Sequence, residues 1–432
     1  MYPDFQYLLQ ALFGTDMPEW LGIFKTFGLM VATAFIAAAY VLVSELKRKE
    51  KMGLLSPTLR SYEVGRPASA NELLVSALLG FFLGYKIGGL FGHWAEITPN
   101  PMGYLFSIKG NFIAGIIGAL VIGYAKYVDK KKQELPEPQM KKELVYPHQR
   151  ITEIVVMAAF GGLVGAKVFN AFESWDDFVR DPAGSLLSSS GLTFYGGLIV
   201  ATAILYYYSR KHKFSFRHLC DAAAPALMLA YGIGRFGCQF AGDGDWGIFN
   251  SAYITEPDGM LKVATAPEYR QKLSEDSLYF VSNFGSIEQV PQARAEAPGW
   301  LPRWLFGMNY PHNVNNDGVP IAGCMGQYCA VLPVAVFPTP LYEAFTCIGL
   351  FLLIWAVRRR FKYPLHLFGF YLILNGLERF FVEKIRVNYK YDLGFIHPTQ
   401  AEIISTLLVI AGLCILLFYK PAKDKFPEET AA

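Results

Sequence analysis

The 432-residue chain is 53% hydrophobic and only 17% charged, against roughly 25% charged residues in soluble globular proteins. Its net charge of +3 is cut into short basic clusters between apolar runs, which argues against a nucleic-acid-binding surface. Several apolar runs approach the ~20 residues a helix needs to cross about 30 Å of hydrocarbon, so a soluble protein is excluded and a polytopic membrane protein is expected.

Residues 1–21 carry no basic stretch ahead of their apolar residues and read as an interfacial segment rather than a cleaved signal peptide. Nine spans are expected, at about 22–44, 71–93, 111–128, 151–172, 191–209, 219–240, 339–357, 364–381 and 399–419. The expected fold class is all-α and polytopic. A first membrane part covers 22–240, a loop subdomain 241–338, a second membrane part 339–419 and a tail 420–432. Lys and Arg collect within 47–51, 130–142, 210–213, 358–362 and 420–425, following spans one, three, five, seven and nine. Under the positive-inside rule these clusters are cytoplasmic, which puts the N-terminus and the 241–338 loop outside and the C-terminus inside.

The chain is self-similar at an offset of 81 residues, pairing Glu72 with Glu153, Gly80 with Gly161, Gly84 with Gly165 and Lys86 with Lys167. Further on, Trp94 pairs with Trp175, Pro101 with Pro182, Ser107 with Ser188 and Gly115 with Gly196. This is the pattern of a duplicated helical hairpin, 71–128 and 151–209, whose copies share one orientation because each holds two spans. The copies diverge at GNFIAGII against GLTFYGGL, so Tyr195 belongs to the second copy only, the copy expected to be active.

The 241–338 loop is rich in Pro, Gly, Asn and aromatics and carries Cys324 and Cys329. On an oxidising side of the membrane these two can form a disulfide, with two free thiols as the alternative. Cys220, Cys238, Cys347 and Cys414 lie in expected spans and suit apolar packing.

Several polar residues fall at one depth. Arg235 sits about five residues before the outer end of the sixth span, and Asn375, Arg379, Glu383 and Arg386 share one face of the eighth. Tyr195, Tyr342 and Glu343 stand at the outer starts of the fifth and seventh spans. Arginines near helix ends can simply snorkel to headgroups, and Arg379 with Glu383 can be an internal ion pair. Arg235 differs because GIGRFG surrounds it with Gly232, Gly234 and Gly237, which admit a close ligand or backbone. A guanidinium there suits a phosphate through paired N–H donors.

These residues resemble the prolipoprotein diacylglyceryl transferase family. GRFGC at 234–238 with Gly247 is similar to the family signature, with one residue inserted among Asp243, Gly244 and Asp245. FRHLCDAAAPA resembles the family's entry to that helix through Asp221 and Pro225, FPTPLYE its next motif through Pro338, Thr339, Leu341, Tyr342 and Glu343, and GLERFFVEKIR its Arg-Phe-x-x-Glu-x-x-Arg helix. The matches run from about residue 150 to the C-terminus, where Gln400 opens the last span. The departures are Tyr195 where the family has His, Phe27-Gly28 for its Tyr-Gly, Phe337 and Pro340 for a His and a Gln, and Asn375 for a Tyr. Removing the extra hairpin from nine spans leaves the family's seven.

The resemblance implies transfer of a diacylglyceryl group from phosphatidylglycerol to the lipobox cysteine of a prelipoprotein, in the bacterial inner membrane with the site near the outer leaflet. Arg235 and Arg379 are expected to hold the phosphate, with Gly234, Gly237, Gly247, Glu383 and Arg386 completing the lipid site. The base is Tyr195, if a neighbouring arginine lowers its pKa from ~10, or Glu343, or solvent forms the thiolate and Tyr195 is structural. Asp243 and Asp245 read as turn formers. No cofactor or metal motif is recognised. Two other function classes remain: a lipid or ion transporter, which expects repeats over most of the chain, and a catalytically silent lipid-binding relative, which the absent His leaves open.

Overall fold

The computed structural model describes residues 1–432 apart from 91, 93–96, 98–100, 188–190, 192, 389, 393, 395–396 and 421–432. Trp94, Ser188 and the tail beyond Lys420 therefore lie outside the described residues. Among the described residues nine long helices stand where the apolar runs are: α1 (Thr26–Lys51), α2 (Ala70–Leu90), α3 (Phe112–Lys132), α4 (Ile151–Glu173), α5 (Phe194–Lys211), α6 (Phe216–Ala241), α7 (Thr339–Val357), α8 (His366–Glu383) and α9 (Gln400–Phe418). Six of them, α1 to α4, α7 and α9, are long and apolar enough to cross a membrane. The chain is a polytopic membrane protein. Helices α6 and α8 are less apolar because they bury His218, Asp221 and Gln239, and Glu378 and Glu383. Such groups are tolerated at membrane depth only against other protein groups or water.

The chain divides into two compact units, Met1–Arg48 with Arg217–Ala432, and Lys49–Phe216. In the second, α2 packs on α3 and α4 on α5, with glycines at the crossings. A Cβ on Gly84 would stand 2.2 Å from the Ala114 carbonyl oxygen, and one on Gly165 2.4 Å from that of Gly196, so either alanine would force its helices apart. The paired lysines do the same work in both hairpins. Lys86 Nζ donates to the Tyr104 carbonyl at 2.9 Å, and Lys167 Nζ to the Ser185 carbonyl at 3.2 Å. Each acceptor belongs to a one-turn helix, Pro101–Phe106 or Pro182–Leu187, whose last carbonyls a cation satisfies. An antiparallel ribbon of β1 (Thr58–Val64) and β2 (Gln139–Val145) completes this unit.

In the first unit, Asp221 of α6 fixes the start of α8. Its carboxylate accepts the backbone N–H groups of Leu365 and Phe368, both at 3.0 Å. Leu365 is left-handed (φ 69°) and has no side-chain cap of its own, so Asp221 supplies one from another helix. This sets the lengthwise register of α8 against α6.

The all-α expectation holds for the long helices but not for the β1–β2 ribbon or for 241–338. That segment folds as β3 (Phe249–Thr255) paired with β4 (Leu261–Val263), β5 (Gln292–Ala293) and β8 (Val334–Val336), beside a ribbon of β6 (Val319–Pro320) and β7 (Ala330–Val331). Two helices, Ala266–Glu275 and Ser277–Phe284, close a core that includes Phe249, Tyr269, Phe280 and Tyr310. The strands escape sequence reading because most have only two or three residues, too few for alternation to show.

Cys324 and Cys329 form a disulfide with Cα atoms 5.6 Å apart, which removes the two-thiol alternative. Its loop spans five positions, so reduction is expected to cost about 2 kcal/mol at most by loop entropy. Thermal unfolding with and without reductant, with alkylation confirming the open thiols, measures this; a collapse of the whole protein on reduction would show a larger role.

Candidate active site

Helix α6 presents Tyr231 and Arg235 one turn apart, and the guanidinium lies over the tyrosine ring, 5.2 Å from its centroid. The glycines around them have separate tasks. Gly232 brings α7 close, since a Cβ there would lie 3.1 Å from the Ala344 carbonyl oxygen, and Gly237 packs on Phe27 and Met30 of α1. A Cβ on Gly234 would meet nothing within 4 Å among the described residues, leaving open space beside Arg235.

Glu343, in the first turns of α7, is the hub. It is 0% exposed and is ion-paired with Arg235, with Arg379 at 3.3 Å and with Arg386 at 3.2 Å. Arg379 and Arg386 meet its Oε1, and the Tyr231 hydroxyl donates at 3.1 Å to Oε2, the oxygen paired with Arg235. Arg235 and Arg386 also share Asp245, the second at 2.5 Å. Arg379 pairs with Glu383 at 3.0 Å, and Asn388 Nδ2 donates to that carboxylate at 2.6 Å. Three guanidiniums thus face three carboxylates, which satisfies the requirement that buried charge be paired.

The chain segment after α6 places Asp245. Gly242 and Gly244 take left-handed conformations (φ 64° and 92°) that turn it back over the helix end. Asn315 Nδ2 donates to the Asp243 carbonyl at 2.8 Å, and Thr339 Oγ1 to that of Asp245 at 2.8 Å. Gly247 then passes between two other strands of chain: its N–H donates to the Phe337 carbonyl at 2.8 Å, and the next N–H to that of Ile385 at 2.9 Å. A Cβ on Gly247 would stand 2.6 Å from the Ile385 oxygen. This glycine therefore lets Arg386 approach Asp245.

Asp245 is thus an arginine partner as well as a turn residue, a correction to the sequence reading. Burial favours its neutral form, but Arg386 and then Arg235 outweigh that and hold its carboxyl below the ordinary value. Burial pushes the pKa of neighbouring Asp243 up. Cys238, Asp243 and Asp245 have candidate ligand atoms within 4.8 Å of one another, yet the two guanidiniums on Asp245 repel a divalent cation.

Glu378 was missed. It is 6% exposed, and neither carboxylate oxygen has a hydrogen-bond partner among the described residues. Next to Arg379 but off the 375, 379, 383, 386 stripe, it was passed over, although an acid inside a span is itself a signal. Tyr195 stands half-buried in the first turn of α5, in the unit Lys49–Phe216, whereas the arginine cluster belongs to the other unit.

A family model described as prolipoprotein diacylglyceryl transferase matches residues 112–418. The chain belongs to that family. Its members are transferases, and this chain is a membrane-embedded one. It is 24% identical over 346 residues to the phosphatidylglycerol–prolipoprotein diacylglyceryl transferase of Chlorobaculum tepidum, covering 76% of this chain and 94% of that one. A protein of the same name from Leptospira interrogans is 25% identical over 279 residues, 59% of this chain and 66% of the relative. One from Dehalococcoides mccartyi is 30% identical over 139 residues, 30% of this chain and 53% of the relative. The family match takes in α3 to α9 and hence every residue of the arginine cluster.

Proposed function

We propose that this protein transfers the diacylglyceryl group of phosphatidylglycerol to the lipobox cysteine of prelipoproteins, releasing glycerol phosphate. The observation that carries the reading is the convergence of Arg235, Arg379 and Arg386 on Glu343 beside the open face of Gly234. The proposed topology has nine spans in a bacterial inner membrane, N-terminus and 241–338 subdomain outside, C-terminus inside, and the duplicated hairpins 71–128 and 151–209 in parallel orientation. The arginines then stand at the outer leaflet, at the depth of phospholipid headgroups.

In the reaction the cysteine thiol loses its proton, the thiolate sulfur bonds to the glyceryl carbon, and that carbon's bond to the phosphate oxygen breaks. Negative charge grows on the departing glycerol phosphate, and arginines already fixed by buried carboxylates stabilise it without reorganising. Glu343 is suited to fixing them: both its oxygens are engaged and it is fully buried. Tyr195 and Glu343 are the two proposed acceptors of the thiol proton, with the thiolate formed by solvent as the alternative. If Tyr195 is the base, Tyr195→Phe is expected to lower the rate at neutral pH by about 10²-fold and to remove the rise of the rate with pH. A variant with the parent's profile assigns Tyr195 a structural part.

Asp245 is the anion that a lipid phosphate replaces. Its side chain is 35% exposed, against 0% for Glu343 and Glu383, so exchanging one negative group for another there leaves the buried pairs intact. Asp245→Asn is expected to lower the KM for phosphatidylglycerol several-fold with kcat retained, and steady-state kinetics in mixed micelles read this. A raised KM would assign Asp245 to holding the arginines instead.

The deciding experiment incubates the purified protein with phosphatidylglycerol and a lipobox peptide. The peptide is expected to gain the mass of a diacylglyceryl group as glycerol phosphate appears. No mass gain from folded protein would favour the silent lipid-binding relative.

A further inference from the structure

The duplicated hairpins allow the same positions to be compared in two settings. At the basic end of the first, Glu72 of α2 pairs with Lys130 of α3 at 3.2 Å. The equivalent pair 81 positions on is Glu153 and Lys211, and it is not made. Glu153 instead accepts the Tyr208 hydroxyl and pairs with Arg150 at 3.4 Å, while Lys211 has no ion-pair partner among the described residues. A cavity of about 520 Å³ opens there, between the start of β1, the start of α4 and the end of α5.

Arg60, Arg150, Lys211 and Lys213 line this cavity with Glu153 as the one carboxylate. Arg150 is 6% exposed, yet its bonds to Glu153 at 3.4 Å and to Thr58 Oγ1 at 3.5 Å are both long. His212, on the same wall, is held below its ordinary pKa by burial and then by Arg150, with Lys211 and Arg60 adding to this against Glu153. Cations collected this closely repel one another unless an anion joins them. The first hairpin makes its internal ion pair at this place; the second leaves that place open.

We propose that this cavity binds the phosphate headgroup of an anionic phospholipid, as a site made of none of the residues in the arginine cluster. A lipid is favoured over a soluble phosphate by what adjoins the cavity. From Glu153, Val156, Phe160 and Leu163 follow along α4 at spacings of three, four and three, all exposed, an apolar track for an acyl chain beside a cationic head site. The wall formed by Thr58 and Arg60 comes from the segment ahead of the first hairpin. The inference rests on α4 and α5 lying in the membrane, not on the transfer reaction.

The test uses the full chain in detergent with phosphatidic acid as probe and phosphatidylcholine as control, retained lipid being counted by native mass spectrometry. The wild type and Arg235→Lys are both expected to retain phosphatidic acid in preference to phosphatidylcholine by about tenfold. In the Arg235→Lys background, where the arginine cluster's paired hold on a phosphate is broken, a combined Arg60→Ala, Lys211→Ala, Lys213→Ala variant, altered further only at exposed positions and checked for an unchanged Tm, is expected to lose that preference. Retention of the preference by the triple variant overturns the site. Displacement of the lipid by inorganic phosphate, but not by chloride at matched ionic strength, overturns the assignment to lipid in favour of a soluble phosphate. Loss of the preference in Arg235→Lys alone would place the bound lipid at the arginine cluster and also overturn the proposal.

Discussion

Arg235→Lys is expected to lower diacylglyceryl transfer by about 10²–10³-fold while the protein still inserts and folds. The guanidinium turns Nε toward Glu343 and Nη1 toward Asp245, with the Tyr231 ring beneath it. A lysine keeps the charge but supplies one nitrogen at the end of a flexible stem, so it cannot hold Glu343 while giving paired N–H donors to a phosphate. Initial rates with phosphatidylglycerol and a lipobox peptide measure the loss. Unchanged turnover would remove Arg235 from the reaction.

Glu343→Gln is expected to be the more damaging change to the protein itself. An amide of the same shape removes the one negative charge shared by Arg235, Arg379 and Arg386 at a site with 0% exposure. Breaking a buried ion pair from one side costs about 3–5 kcal/mol, so a clear fall in Tm is expected together with loss of transfer. Glu383→Gln, which affects Arg379 alone among the three arginines, is expected to cost less. If Glu343→Gln instead left Tm unchanged and abolished only the pH dependence of the rate, Glu343 would be the base.

Protonation of Asp245 gives a signed pH dependence. Its pKa is lowered in the folded state, by Arg386 and Arg235 against burial. Its stabilising contribution is therefore complete above the unfolded value of ~3.9 and is lost only as pH falls through the folded value. Stability across the neutral range should not change on its account.

The helices were legible because a membrane helix is a local object. The apolar run expected at 219–240 is α6 at Phe216–Ala241, and that expected at 364–381 is α8 at His366–Glu383. For the lysines paired at the 81-residue offset, Lys86 and Lys167, the structure adds that each caps the end of a one-turn helix. The sheet in 241–338 was not legible, because its short strands are fixed by partners far along the chain.

The sequence alone determined that arginines and carboxylates stand at one end of three helices, since a helix fixes depth and face through its own rise and period. Only the tertiary structure decided which of them meet. Arg379 reaches Glu343 across 36 residues, and Arg386 reaches Asp245 across 141. Such pairings depend on the register Asp221 gives α8 and on the close passage of chain at Gly247. An ion pair needs its atoms within about 4 Å, a tolerance finer than any periodicity can specify, so the choice of Asp245 over Asp243 and of Glu343 as hub belongs to the fold.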